Sequence, residues 1–90
     1  MYTLSFSSKF KRDYKTIVKR GYSIYLIVDV FQILEIEGEL PGKYLSHKLT
    51  GNYLNCWECH IRPDWLIIWE RDDINKEIKL VRTGTHSDLF

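Results

Sequence analysis

The feature that most constrains this chain is a change of hydrophobic period near its middle. Between residues 8 and 37 apolar side chains recur every third or fourth position, and between 56 and 83 they alternate. The first spacing buries one stripe of a helix, the second one face of a strand. Helices first and strands later, within 90 residues, leave few ways to share one core. Phe10, Tyr14, Ile17 and Val18 mark the stripe of a first helix, with Ser7 or Ser8 placed to cap its start and Gly21 to stop it. A second helix follows from Ser23 through Glu37, with Ile24, Ile27, Val28, Phe31 and Leu34 inward and Gly38 at its end. Pro41-Gly42 opens a long loop to about Tyr53. Strands are expected at Cys56–Arg62, Trp65–Arg71 and Glu77–Thr83, separated by a tight Pro63-Asp64 turn and a polar turn over Asp72–Lys76. Tyr2, Leu4 and Phe6, alternating with Thr3 and Ser5, add a short strand at the start. The predicted plan is βααβββ, an α+β fold of two helices packed on a small antiparallel sheet, one domain over residues 1–90.

Composition sets the class. Hydrophobic residues at 44% and aromatics at 14% supply one compact core and argue against disorder. No apolar run approaches the roughly 20 residues of a membrane span. Met1–Phe6 lacks the basic start and apolar middle of a signal peptide. A cytoplasmic protein is expected, with Cys56 and Cys59 reduced. Charge is segregated. Residues 1–20 hold Lys9, Lys11, Arg12, Lys15, Lys19 and Arg20 against Asp13 alone, whereas residues 21–42 hold four acids and no base. Lys11, Lys15 and Lys19 recur every fourth residue, about 100° round the helix from the apolar stripe, and should face solvent. Such a basic surface suits a polyanion or an acidic partner; its bland reading is a solvated helix face.

Cys56-Trp57-Glu58-Cys59-His60 matches the C-x-x-C-H haem pattern. On a strand, however, the two thiols point to opposite faces, and the only methionine is Met1. A zinc site would need a second ligand pair, for which only His47 and His86 remain. No haem, metal or other cofactor is expected, with Cys59 in the core and Cys56 at the surface.

The reactive residues gather elsewhere. His47 lies in the loop before the sheet, His60 on the polar side of the first hairpin strand and His86 just past the last strand. Alternation places Ile78, Leu80 and Arg82 on one face, so Arg82 ends an apolar row and needs an anionic partner. Asp64, Glu58 or a phosphate from outside would serve. Trp65, beside the turn, and Phe90 are candidates to stack on nucleic-acid bases.

The segments His47-Lys48-Leu49-x-Gly51, Glu58-x-His60-x-x-Pro63-Asp64-Trp65 and Arg82-Thr83-Gly84-Thr85-His86-x-x-Leu89-Phe90 together resemble the YafQ branch of the RelE/ParE toxin superfamily, over the whole chain. The chain departs from the usual pattern at Ser46, Lys48 and Trp57. The resemblance implies a type II toxin that cleaves mRNA, on the ribosome in many members, and is silenced by a cognate antitoxin protein. It carries the active-site positions His47, His60, Asp64, Trp65, Arg82, His86 and Phe90. The chemistry implied is attack of RNA's own 2′-OH on phosphorus without metal. His86 leads as acid/base, His60 and Asp64 are its counterparts, Arg82 holds phosphoryl charge and His47 orients phosphate. Trp65 and Phe90 would position bases, and Lys11, Lys15 and Lys19 would meet the ribosome or the antitoxin. The competing expectation is a gyrase-binding toxin of the ParE kind, or a weakly active toxin that chiefly binds its antitoxin. Titratable groups clustered at the end of the sheet favour the nuclease, since a pure binder has no need of them.

Overall fold

A computed structural model describes all residues, Met1–Phe90. In chain order the elements are β1 (Thr3–Phe6), α1 (Ser8–Lys19), α2 (Ile24–Glu37), β2 (His47–Lys48), β3 (Trp57–Arg62), β4 (Trp65–Asp72), β5 (Glu77–Gly84) and α3 (His86–Leu89), with short 3₁₀ turns at Gly42–Tyr44 and Gly51–Tyr53. The strands form one sheet in the order β1-β5-β4-β3-β2. Pairings among β2, β3, β4 and β5 are antiparallel, whereas β1 runs parallel to β5. The sheet is therefore mixed, not wholly antiparallel. The two helices carry the chain back over the sheet between β1 and its partner, the kind of crossover that parallel neighbours require.

The helix boundaries follow from their caps. Ser7 Oγ accepts the Phe10 amide at 2.9 Å, and Gly21, at φ +79° beyond the Arg20 cap, breaks off α1. Gly38 at φ +74° ends α2, and its amide donates to the Leu34 carbonyl. Ser23 occupies the N-cap of α2 without a side-chain hydrogen bond. Phe10 and Ile17 of α1 and Ile27, Val30 and Leu34 of α2 are buried against Cys59, Trp65, Ile67, Trp69, Ile78 and Leu80. The apolar stripes differ in detail from expectation: Val18 is 48% exposed, and Val30 rather than Val28 is fully buried. Tyr14, Val28 and Phe31 pack at the margin of this core.

Strand β4 is buried from Trp65 through Trp69, so both faces of the sheet are covered. Trp65, Ile67 and Trp69 face the helices; Leu66 and Ile68 face a smaller cluster with Cys56 and Leu89, flanked by Leu49, Tyr53 and Val81. Cys56 is thus a core residue, not a surface thiol, because the loop before β3 folds over this second face. Burial pushes the Cys59 thiol up to about 12 and raises that of Cys56 as well, which leaves both poor nucleophiles.

Candidate active site

The second face of the sheet carries the site, and strand register explains why. Directly paired residues of neighbouring strands lie on the same side. His47 pairs with Glu58, Glu58 with Ile68, and Ile68 with Arg82. One transverse row therefore reads His47, Glu58, Ile68, Arg82, and the next reads His60, Leu66, Gly84. Beyond Gly84 the short α3 turns His86 back toward His60.

Arg82 reaches this face through a β-bulge. The β4–β5 register shifts between Ile68 and Trp69, so that Trp69 meets Leu80 and Ile68 meets Arg82, with Val81 as the extra residue. A bulge places two residues against one and re-aims the side chains beyond it. Arg82 is thereby moved off the helix-facing row of Ile78 and Leu80, on which uninterrupted alternation had put it. Its partner is neither Glu58 nor Asp64 but Asp13 of α1, whose carboxylate accepts Nε at 2.7 Å and Nη2 at 3.1 Å. The same carboxylate accepts the Thr83 amide at 3.1 Å. Asp13 raises the guanidinium pKa, and burial opposes it. With Nε and Nη2 engaged side-on, the Nη1/Nη2 end of the fork points onward, and Nη1 lies 3.4 Å from the Tyr53 hydroxyl. Tyr53 in turn meets Phe90 edge-on, ring centroids 5.5 Å apart.

The three histidines, distant in sequence, form a line. The centroids of His47 and His60 are 6.3 Å apart and those of His60 and His86 are 5.9 Å apart. His86 is oriented by Asp64, whose Oδ1 lies 2.5 Å from its ring Nδ1 and accepts its backbone amide at 2.9 Å. Those contacts, the backbone amide foremost, hold the Asp64 carboxyl below its ordinary range. Asp64 is thus placed as the orienting partner of His86, leaving the ring's Nε2 free. Glu58, only 5% exposed, lies between the other two imidazoles. Its Oε1 is 3.3 Å from His47 Nε2 and 3.8 Å from His60 Nε2. The rings' other nitrogens face backbone carbonyls: His47 Nδ1 that of Leu45 at 3.2 Å, His60 Nδ1 that of Pro63 at 3.4 Å. One donor atom each from His47, Glu58 and His60 fall within 4.8 Å of one another, a set able to hold a metal ion. Neither cysteine belongs to it. Ligand counting along the sequence missed this set because β2–β3 pairing, not spacing, brings His47 to Glu58.

Helix α3 is braced from α1. Thr85 and Asp88 form a capping box, in which the Asp88 carboxylate accepts the Thr85 amide at 2.8 Å. That carboxylate also takes both terminal nitrogens of Arg20, at 2.6 and 3.0 Å. Chiefly because of Arg20, its pKa is held far below the carboxylate range. Asp13, Tyr53, Glu58 and the Arg20–Asp88 pair were not anticipated as site residues. Asp13 did carry a signal, as the lone acid among the six bases of residues 1–20.

One expected role changes. Trp65 cannot stack on a base: its ring is 2% exposed, lies edge-on to Tyr22 at 4.9 Å and donates Nε1–H to Thr83 Oγ1 at 3.0 Å. An indole that spans a core and satisfies its donor there is structural. Phe90, 65% exposed beside Tyr53, stays available. Lys11, Lys15 and Lys19 are exposed as expected, but they lie on another side of α1 from Asp13, Thr16 and Arg20, which line the cleft with Arg82. Lys11 and Lys15 instead flank an apolar groove of Phe6, Phe10, Tyr14 and Phe31.

Residues 2–90 match the family model described as bacterial toxin of type II toxin-antitoxin system, YafQ. The chain is 30% identical over 88 residues to the mRNA interferase toxin YafQ of Escherichia coli, covering 97% of this chain and 94% of that protein. Among solved structures, a metal-bound toxin from Helicobacter pylori superposes with a TM-score of 0.90 at 38% identity over 100% of both chains. The E. coli DinJ–YafQ complex superposes with a TM-score of 0.89 at 28% identity, covering 100% of this chain and 99% of that one.

Proposed function

The chain belongs to the YafQ family of bacterial type II toxin–antitoxin toxins, and we propose that it is an endoribonuclease that cuts mRNA, engaged on the ribosome, by attack of the RNA's own 2′-OH. The observation that carries this reading is the line of three imidazoles at ring separations of 5.9 and 6.3 Å, flanked by Asp64 and Glu58, with Arg82 paired across Ile68 and its Nη1 held only by a 3.4 Å contact with the Tyr53 hydroxyl. Cleavage of this kind forms a bond from O2′ to phosphorus and breaks the bond to O5′. One group takes the 2′ proton, another protonates O5′, and a cation holds charge on the phosphoryl oxygens.

His86 and His60 serve as the acid/base pair. The Asp64 contact keeps the proton on His86 Nδ1 and orients Nε2 for transfer, as a buttressing carboxylate does for a catalytic histidine. Arg82 grips the phosphoryl oxygens through Nη1 and Nη2 while Asp13 locks the other edge. His47 orients the phosphate at the far end of the line, and Phe90 stacks on a base. The products are a 2′,3′-cyclic phosphate and a 5′-OH, and no metal takes part in the steps. The cellular setting is the cytoplasm, and the silencing partner is a cognate antitoxin, as DinJ accompanies YafQ in the E. coli complex.

His86→Ala tests the reading. Growth arrest and discrete new mRNA 5′ ends on induction are expected to vanish while the thermal melt stays close to that of the parent. Undiminished arrest by the folded variant would remove His86 from the mechanism. Supercoiling defects without RNA cuts would replace the nuclease with a gyrase poison.

A further inference from the structure

We propose that the cleft between the β3–β4 turn and the α1–α2 turn is a second RNA subsite, in which Arg62 grips the phosphate and Tyr22 stacks on the base of a nucleotide flanking the scissile position. The identity of the ligand rests on the nuclease reading above. An irregularity in β3 delivers Arg62 to this place. From Trp57 to His60 the strand pairs regularly with β4, but the register slips between His60 and Arg62, so that Arg62 meets Trp65. Simple alternation would leave Arg62 on the same side as His60. The extra residue turns it to the opposite side, with Trp65, which faces the helices. The end of the hairpin therefore presents His60 to one face of the sheet and Arg62 to the other, with Asp64 in the turn between them.

The cleft encloses about 530 Å³, between Gly21, Tyr22 and Ser23 on one side and Arg62, Asp64 and Trp65 on the other, a size ordinary for a small-ligand site. Arg20, Arg71 and Arg82 are each paired with a carboxylate. Arg62 is exposed and makes no ion pair, so its whole fork is open to bidentate contact with a phosphate. Asp64, the one acid in the wall, has Oδ1 engaged by the ring and the amide of His86. Tyr22 is half-buried, and its ring is fixed edge-on to Trp65 at 4.9 Å before any base arrives. Ser23 makes no side-chain hydrogen bond to its own helix, which leaves a hydroxyl for the ribose. A cation beside a fixed aromatic ring is the combination that holds single-stranded RNA. Position supports the same ligand. Two residues of chain span at most about 7 Å, so Arg62 stands close to the Asp64 that orients His86. A strand leaving the His86 end of the imidazole line crosses the β3–β4 turn and enters the cleft.

Fluorescence anisotropy of the intact protein with 2′-methoxy RNA oligonucleotides, which lack the nucleophile, tests the subsite apart from catalysis. Oligonucleotides lengthened one nucleotide at a time from either end should gain affinity stepwise, and Arg62→Gln should remove the gain at one end only. For the longest, Arg62→Gln should weaken binding about 10-fold at low salt. It should also flatten the slope of log affinity against log salt by about 0.7, the share of one single-strand phosphate. Arg62→Lys should keep that slope. Tyr22→Leu, under conditions where it stays folded, should weaken binding about 5-fold or more with the slope unchanged. Lys76→Gln, at the opposite end of the sheet, should alter neither. Binding and slope undiminished in folded Arg62→Gln would overturn the subsite while leaving the nuclease standing. Weaker antitoxin binding with RNA binding intact would overturn it too, by giving the cleft to a protein partner. The expected binding losses, in a protein that never cuts unmodified RNA, would uphold the subsite and refute the nuclease.

Discussion

Asp13→Ala is the substitution whose effect can be worked most fully from the structure. Asp13 accepts three hydrogen bonds, from Arg82 Nε, Arg82 Nη2 and the Thr83 amide. The side chains of the pair are only 15% and 19% exposed, so solvent screening is limited and the desolvation already incurred by the guanidinium is left uncompensated. Removing one partner of a pair at such depth costs about 3–5 kcal/mol when burial is complete, and an orphaned amide adds about 1 kcal/mol or more. Allowing for water that can still reach Arg82, a loss of about 3 kcal/mol is expected. For a domain of this size that corresponds to a fall of roughly 12–24 °C in Tm. Asp13→Asn retains an acceptor for one donor and should lose about half as much. Urea unfolding at 25 °C measures both. In the cleavage assay, under conditions where the variant stays folded, Asp13→Ala should also lose about 100-fold in rate, because the Arg82 fork is no longer held for the phosphoryl oxygens. A midpoint shift equivalent to less than about 0.5 kcal/mol would show that the pair is not a structural tie and that Arg82 is held by something else.

Other consequences are equally open to measurement. Because Arg20 depresses the Asp88 pKa, the bracing of α3 should be fully present above the unfolded carboxylate range near pH 4 and fade as pH falls below it; urea titrations across pH 2–6 should show this acid loss, flattened in Asp88→Asn. Arg82→Lys should lower cleavage on the order of 100-fold while the melt changes much less than in Asp13→Ala, since a point charge keeps the ion pair but loses the fork. Charge reversal of Lys11, Lys15 and Lys19 together should leave folding and cleavage of isolated RNA nearly unchanged, because these exposed groups lie away from the Arg82 cleft. It should weaken binding to the antitoxin and reduce the salt dependence of that binding, readable by surface plasmon resonance at low and high salt.

Much of the fold was legible because it is written in spacing. The stripe from Phe10 to Ile17, the glycines at 21 and 38, and the Pro63-Asp64 turn mark α1, α2 and the β3–β4 hairpin locally, and the α+β plan follows from their order. The illegible part depends on pairing between distant strands. Nothing in Thr3–Phe6 announces that β1 lies parallel to β5, and a two-residue strand such as His47–Lys48 has no period to detect. The bulge at Val81 matters most for the site. Alternation over Glu77–Thr83 predicts the helix-facing side for Arg82, and one extra residue reverses it. Trp65 illustrates the opposite limit. Its place beside a turn resembles that of a surface aromatic, yet the central position of β4 and the Thr83 hydroxyl draw it inward. The resemblance to the YafQ branch drew attention to His47, His60, Asp64, Arg82 and His86, which the fold gathers on one face. Asp13 and Glu58, which orient or link them, emerge only from tertiary contacts.

Central to the proposed mechanism is that RNA itself supplies the nucleophile and histidines move the protons. The most direct measurement is the identity of the new ends made from isolated RNA in excess EDTA, read by phosphatase sensitivity and mass spectrometry, beside a substrate carrying a single 2′-methoxy group 5′ to the cut. A 2′,3′-cyclic phosphate and a 5′-OH are predicted from the natural substrate, and no cut at the blocked position. A 5′-phosphate product, cleavage at the blocked position, or activity that EDTA abolishes would contradict this mechanism.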